Sequence, residues 1–363
     1  MNALDAAAAR AAAARNLINE LGGPNFFPSE WAAAESLFAQ AEQERRTSTT
    51  AEAQQSAARY TSAAEAYEAM LENTVARYYE NAANELTLAR EAAINVGARV
   101  FAPEFLLEAD NMVVSAEEKY QAGDYLAARD AAVDAFDMYS AIGAGVVAFR
   151  IREEIALAVA DILPEVLWQA DDAGLDAIAK WEEGDFSSAK DGAETALSMY
   201  SGLGFALQAY LLREEILDMA ERLAPQAFAH AEDAGWEAIA RWEEGDFHTA
   251  MHSAENALLL YSRAAASAER QRALELRANT AVELQYIRAL DIYTRANMAL
   301  QMHWNQDALA LYPQARAMFK DAADIALQRR LAAEDALRRA DQRLAESDEI
   351  ARSVEAILQG GMQ

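Results

Sequence analysis

The chain repeats itself at an offset of 61, and no other feature restricts its fold as much. Tyr120-Gln-Ala-Gly-Asp-Tyr125, Trp181-Glu-Glu-Gly-Asp-Phe186 and Trp242-Glu-Glu-Gly-Asp-Phe247 superimpose at that offset without a gap. The register holds upstream through Pro103, Pro164 and Pro225, then Ala109, Ala170 and Ala231. Downstream it runs through Ala128, Ala189 and Ala250 to Tyr139, Tyr200 and Tyr261. A fainter copy precedes these at an offset of 75: Gly22 maps on Gly97, Phe26 on Phe101, Pro28 on Pro103, Ala34 on Ala109 and Glu35 on Asp110. Its extra length is assigned to a polar insertion near Arg45-Arg-Thr-Ser-Thr-Thr50, and a degenerate fifth copy centres on Tyr312 and Ala315. A unit that cannot bury its apolar face alone must stack on its neighbours, with atypical end copies closing the core. The expected segments are 1–85, 86–146, 147–207, 208–268 and 269–363.

Within a copy the apolar residues have helical spacing. Ala177, Trp181, Phe186, Ala189, Ala193, Ala196, Leu197 and Tyr200 recur at intervals of one to five, interrupted by Gly184-Asp185. That predicts helix, tight turn, helix, with glycine in the positive-φ position ending the first and aspartate capping the second. Proline (6) and glycine (15) are scarce and alanine abundant, so the expected class is all-α throughout.

Residues 170–203, with Gly184-Asp185-Phe186 at the turn and Ala189 and Ala196 at the small-residue positions, resemble one motif of the tetratricopeptide family; 109–142 and 231–264 match equally. The family's small residue in the first helix appears as Ala116, Ala177 and Ala238, whereas its closing proline is absent. The resemblance implies a right-handed α-solenoid of helical hairpins that binds a protein or peptide. The family's motif is shorter than the period seen here, about 34 residues. A further stretch therefore separates successive motifs, Gly143 to Gln169 for example, carrying the block Arg152-Glu-Glu-Ile155 and its copy Arg213-Glu-Glu-Ile216. These stretches form either a third helix or a first helix extended backward through a kink at Pro103, Pro164 and Pro225. The long kinked helix is the reading adopted, because Leu163 and Ala224 are poor N-caps.

The family's concave groove is lined by one face of the first helix. Carried over residue by residue, its polar members are Asp110, Asp171 and Glu232, then Glu117, then Gln121, Glu182 and Glu243. The family's clamp for a C-terminal carboxylate uses Lys and Asn at such places, so acids imply a neutral to basic or amine-bearing partner. A second resemblance rests on Ala102-Pro103-Glu104 with Ala109-Asp110, which is similar to an alanine-rich repeat of bacterial envelope lipoproteins, spirochaete ones included. It implies a periplasmic or cell-envelope location, with the cytoplasm as the alternative. The N-terminus, alanines punctuated by Arg10 and Arg15, lacks the leucine-rich centre of a signal peptide, so an envelope protein would need a separate leader.

The net charge of −28 lies wholly in residues 1–261, because 262–363 contain 14 basic and 14 acidic side chains. That opposes any hold on nucleic acid, which needs Lys and Arg against phosphate. Cysteine is absent, excluding disulfides and thiolate metal sites, and no stretch of 18 apolar residues is apparent for a membrane span.

His248 and His252 stand at i, i+4 but lack the glutamate of the metalloprotease motif and a third ligand nearby, so they are read as solvated and no metal or cofactor is expected. Neighbouring acids such as Glu182-Glu183 point about 100° apart on a helix and cannot act as a glycosidase pair. Trp181 and Trp242 occupy the position of Tyr120 and are assigned to the core, while Trp168, Trp236 and Trp304 fall outside the register and are the ligand candidates. Residues 322–358 show a heptad seam, Ala333, Leu337, Ala340, Leu344, Ser347, Ala351, Val354 and Leu358, before Gly360-Gly361. It is read as a capping helix folded on the last copy, the alternative being self-association. The expected function is a non-enzymatic interaction scaffold; the alternative is a periplasmic carrier holding a cationic or apolar molecule between repeats.

Overall fold

The structure, a computed structural model, describes residues 3–46 and 50–360, the side chains of residues 50 and 355–360 excepted. Thr47, Ser48 and Thr49 of the polar insertion, the Leu358 side chain and Gly361 lie outside the described residues. Fourteen helices and no strand make up the described chain: α1 Ala3–Glu20, α2 Gly23–Phe26, α3 Pro28–Arg45, α4 Thr50–Asn95, α5 Ala98–Phe101, α6 Pro103–Gln121, α7 Tyr125–Ile162, α8 Pro164–Glu182, α9 Phe186–Leu223, α10 Pro225–Glu243, α11 Phe247–Glu275, α12 Ala278–Ala281, α13 Glu283–Gln301 and α14 Asn305–Gly360.

Local chemistry explains the boundaries. Gly123, Gly184 and Gly245 take φ near 80° after α6, α8 and α10, and no atom lies within 4 Å of where a Cβ would stand, so the requirement there is conformational. The following aspartates cap the next helix: Asp124 accepts from the Ala127 N–H, Asp185 from Ser188 and Asp246 from Thr249, at 3.1–3.3 Å. Prolines open α3, α6, α8 and α10, where the missing N–H is not needed. The residue before them leaves helical conformation, with φ −133° at Phe27 and −142° at Ala102 and Ala224.

The stretches between motifs form no third helix, and only their last six residues, 164–169 for example, extend the first helix backward. The earlier part continues the second helix, so α7 and α9 each run 38 residues to the residue before the break. Gly143 and Gly145 lie inside α7 without interrupting it, and only the residue preceding proline ends the helical stretch.

The chain divides into two compact units. The first comprises Met1–Glu154 and Glu165–Leu197. In it α1 and α3 pack on α4 around Ala11, Ala41, Tyr60 and Ala64, and around Ile18, Ala34 and Tyr67. A larger core gathers Leu106, Ala109, Met138, Tyr139, Ala177, Trp181 and Phe186. Helices α8 and α9 approach so closely that a Cβ on Gly192 would stand 3.0 Å from that of Ala177. The second unit comprises Ile155–Pro164 and Ser198–Gln363. There α10 packs on α11, and α11 and α13 on α14, around Phe228, Ala231 and Tyr261 and around Tyr286, Tyr312, Ala315 and Phe319.

Helix α7 is long and apolar enough, by length and composition, to cross a membrane, although half of its apolar window is buried inside the protein. Its Ala128, Ala135, Met138 and Tyr139 face core neighbours, which accounts for the low polarity. The heptad stripe does not fold onto the last copy, which corrects the reading of a capping helix. Helix α14 enters the core only as far as Ala326, and every residue from 328 to 354 is exposed.

Candidate interaction surface

Three of the acids assigned to the groove are occupied inside the protein. In the first unit Arg90 of α4 grips Asp110 of α6 with Nε and Nη2 at 2.7 and 2.9 Å, and the buried Tyr139 of α7 donates its hydroxyl to the same carboxylate at 2.5 Å. Arg15, Glu35 and Tyr67 repeat the arrangement on α1, α3 and α4. Arg152 holds Asp171 through two bonds of 2.7 and 3.0 Å. In the second unit Arg213, Glu232 and Tyr261 form the same group, with contacts of 2.6, 3.3 and 2.6 Å. A planar guanidinium matches a carboxylate in two bonds at once. Each complete group therefore ties three helical passes together: the tail of one long helix (α1 for the first group), the following first helix, and the next long helix.

Asp110, Asp171 and Glu232 are thus held in clamps by arginines of the same chain. The signal is present in the sequence: Arg15, Arg90, Arg152 and Arg213 precede their acids at separations of 20, 20, 19 and 19. The recurrent Arg-Glu-Glu-Ile block contains two of these arginines, but its pairing with the acid depends on a break at the proline that sequence spacing does not reveal. In the degenerate fifth copy Leu290 and Phe319 replace acid and tyrosine at the matching register, and Arg270 lies over the Tyr293 ring instead, 5.8 Å from its centroid.

Electrostatics follow from the clamps. The Arg90 guanidinium, helped by the Tyr139 hydroxyl, holds Asp110 below the usual carboxylate range against the cost of burial, and Arg15 does the same for Glu35. At Glu232 burial pushes upward, yet Arg213 and Tyr261 together leave it lowered. Burial first, then the adjacent carboxylate, pushes Tyr67, Tyr139 and Tyr261 well above the ordinary phenol range. A lowered carboxylate contributes stability above its unfolded pKa that is lost as pH falls through the folded value; a raised phenol contributes below its unfolded pKa and loses it as pH climbs. Melting temperature is accordingly expected to decline below about pH 4 and above about pH 10. Replacing both Tyr139 and Tyr261 by Phe is expected to lower stability by about 1–3 kcal/mol per site at neutral pH and to flatten the alkaline decline. Circular-dichroism melts from pH 3 to 11 test this, and an unchanged alkaline arm in the double variant would contradict it.

The remaining candidates are exposed. Glu182 and Glu243 close α8 and α10, and Gln121 donates to Glu117 at 3.5 Å at the end of α6. Trp168, Trp236 and Trp304 are 64, 67 and 58% exposed, so none is enclosed as a carrier's ligand cage would require. Trp304 lies in the turn before α14, apart from the first-helix face. Trp181 is buried between Phe105 and Phe186 and donates Nε1–H to Glu108 at 2.7 Å. His248 and His252 approach to 3.2 Å through their Nε2 atoms, and among the described residues no group of three or more metal-ligating side chains forms.

Sequence spacing does not anticipate a row of exposed apolar side chains on the first helices. Counted from the first residue of each helix, places 4, 11 and 14 further on carry Leu107 and Val114 on α6, and Trp168, Leu175 and Ile178 on α8, in the first unit. In the second unit they carry Trp236 and Ile239 on α10 and Ile287 on α13. At 100° per residue these places fall within about 80° of one another, and the place 18 further on, Gln121, Glu182 or Glu243, falls on the same face. No protein-family model matches the chain, and no curated protein matches it.

Proposed function

We propose that the chain is a non-enzymatic interaction scaffold, a right-handed solenoid of tetratricopeptide-like hairpins whose copies recur at the offset of 61. Its first helices present an apolar face edged by acids to a protein or peptide of neutral to basic character. The recurrent exposed row carries this reading: scattered exposed apolar residues are ordinary, but large aromatic and aliphatic side chains exposed at the same places on the first helices of each unit mark a contact surface. The row includes Trp168 and Trp236, and tryptophan is among the residue types that dominate binding energy at interfaces. The exposed Glu117, Glu182 and Glu243 supply the charge preference. The resemblance of Ala102-Pro103-Glu104 with Ala109-Asp110 to envelope repeats supports a periplasmic or cell-envelope location for the scaffold, which cell fractionation checks.

The test is a triple variant, Trp168→Ser, Leu175→Ser and Trp236→Ser. Because all three side chains are exposed, stability is expected to stay within about 0.5 kcal/mol per site. Recovery of the partner from the native source, quantified by mass spectrometry against the unaltered chain, is expected to fall at least about tenfold, the scale of losing one interface anchor. Half-molar salt is expected to weaken the same capture through screening of the flanking acids. Undiminished capture by the folded variant would overturn the proposal.

A further inference from the structure

Past residue 327 helix α14 makes no core contact, yet its pattern is ordered. Phe319, Ala323 and Ala326 are buried in the second unit and begin a stripe that continues at steps of four and three through Arg330 to Val354. Leu337, Leu344 and Ala351 take heptad position a, and Ala333, Ala340, Ser347 and Val354 take d. Leu337 and Leu344 are 65 and 64% exposed. Helices in water owe most of their stability to packing an apolar face, and none of the described residues covers this one.

We propose that two copies of the chain pair through residues 330–358 as a parallel, in-register, two-stranded coiled coil. Charge selects both the occupant and its direction. Residues 1–261 carry the whole −28, so copies repel elsewhere, whereas 262–363 are balanced. Position e is acidic in each heptad, Glu334, Asp341 and Asp348, while g holds Ala336, Arg343 and Ile350. In an antiparallel pair e faces e, and acid would meet acid along the seam. In a parallel pair e faces the partner's g, so Asp348 of one copy meets Arg343 of the other, twice by symmetry, and Asp341 meets only Ala336. Arg330 and Arg339 are already paired along their own helix with Glu334 and Asp335, whereas Arg343 and Asp348 make no ion pair among the described residues. Small residues at d let the two helices approach closely.

Sedimentation equilibrium of the full chain is expected to give a mass twice the 39.7 kDa of one copy, dissociating on dilution. The Leu337→Glu, Leu344→Glu variant is expected to be monomeric at the same concentrations and still folded, since both side chains lie outside the core of the single chain. Direction is read from Ala333→Cys and Ser347→Cys, near-isosteric single changes in a chain without cysteine. Each is expected to form its own disulfide-linked dimer on mild oxidation. A monomeric full chain, a larger assembly, a double variant that stays dimeric, or crosslinking only when the two cysteine variants are mixed would each overturn the proposal.

Discussion

Deleting residues 147–207 is expected to yield a soluble, cooperatively unfolding helical protein, although the change removes a full period at once. The cut joins Val146 in α7 to Gln208 in α9. The fused helix, 125–146 followed by 208–223, has the same 38 residues as either parent. Residues at the junction keep their phase because the two helices are register copies. The clamps at the flanks survive, Arg90 with Asp110 and Tyr139, and Arg213 with Glu232 and Tyr261, while Arg152, Asp171 and Tyr200 leave together. When stability is a sum of units and interfaces, removing one matched unit subtracts one term of each. Deleting only 147–176, half a period, instead fuses α7 to the last turns of α8. It sets Ala177 and Trp181 out of phase with their neighbours and exposes their apolar surface, so aggregation is expected. Size-exclusion chromatography and thermal melts of both variants decide; equal aggregation would exclude the solenoid.

Reversing one clamp charge is expected to have the next largest effect. Glu232→Arg puts a second guanidinium beside Arg213 and removes the acceptor of the buried Tyr261 hydroxyl. Breaking a fully buried pair costs about 3–5 kcal/mol. Here the two side chains are 32 and 26% exposed, so solvent screening reduces the expected loss to about 2–3 kcal/mol. The swapped pair, Arg213→Glu with Glu232→Arg, is expected to recover about half of it, because attraction returns while bidentate geometry does not. Glu182→Gln and Glu243→Gln are expected to cost under about 0.5 kcal/mol, since both lie on the surface. Urea unfolding of the four proteins tests the distinction. A Glu232→Arg loss no larger than that of Glu182→Gln would return Glu232 to the surface and refute the clamp.

The difference between Glu232 and Glu243 shows where sequence reasoning stops. Both recur in register and both sit on a first helix, so pattern alone treats them alike. What separates them is the upstream Arg213, which meets Glu232 only because the chain breaks at Ala224 and folds α10 back along α9.

Sequence by itself determined the helical state, the Gly-Asp turns and the buried alanine and aromatic register, because each depends on spacing and backbone preference within a few residues. Gly184 ends α8 and Asp185 caps α9 whatever surrounds them, and Ala109 or Tyr139 can pack only on the face their period assigns. Tertiary structure alone decided that the stretches between motifs extend the second helix and that the clamp acids are spent on arginines. It also decided that the first helices carry an uncovered apolar row and that α14 leaves the core after Ala326. Those outcomes depend on which surfaces meet across long separations in the chain. An apolar residue at helical spacing reads the same whether a neighbour covers it, as at Ala323, or solvent does, as at Leu337.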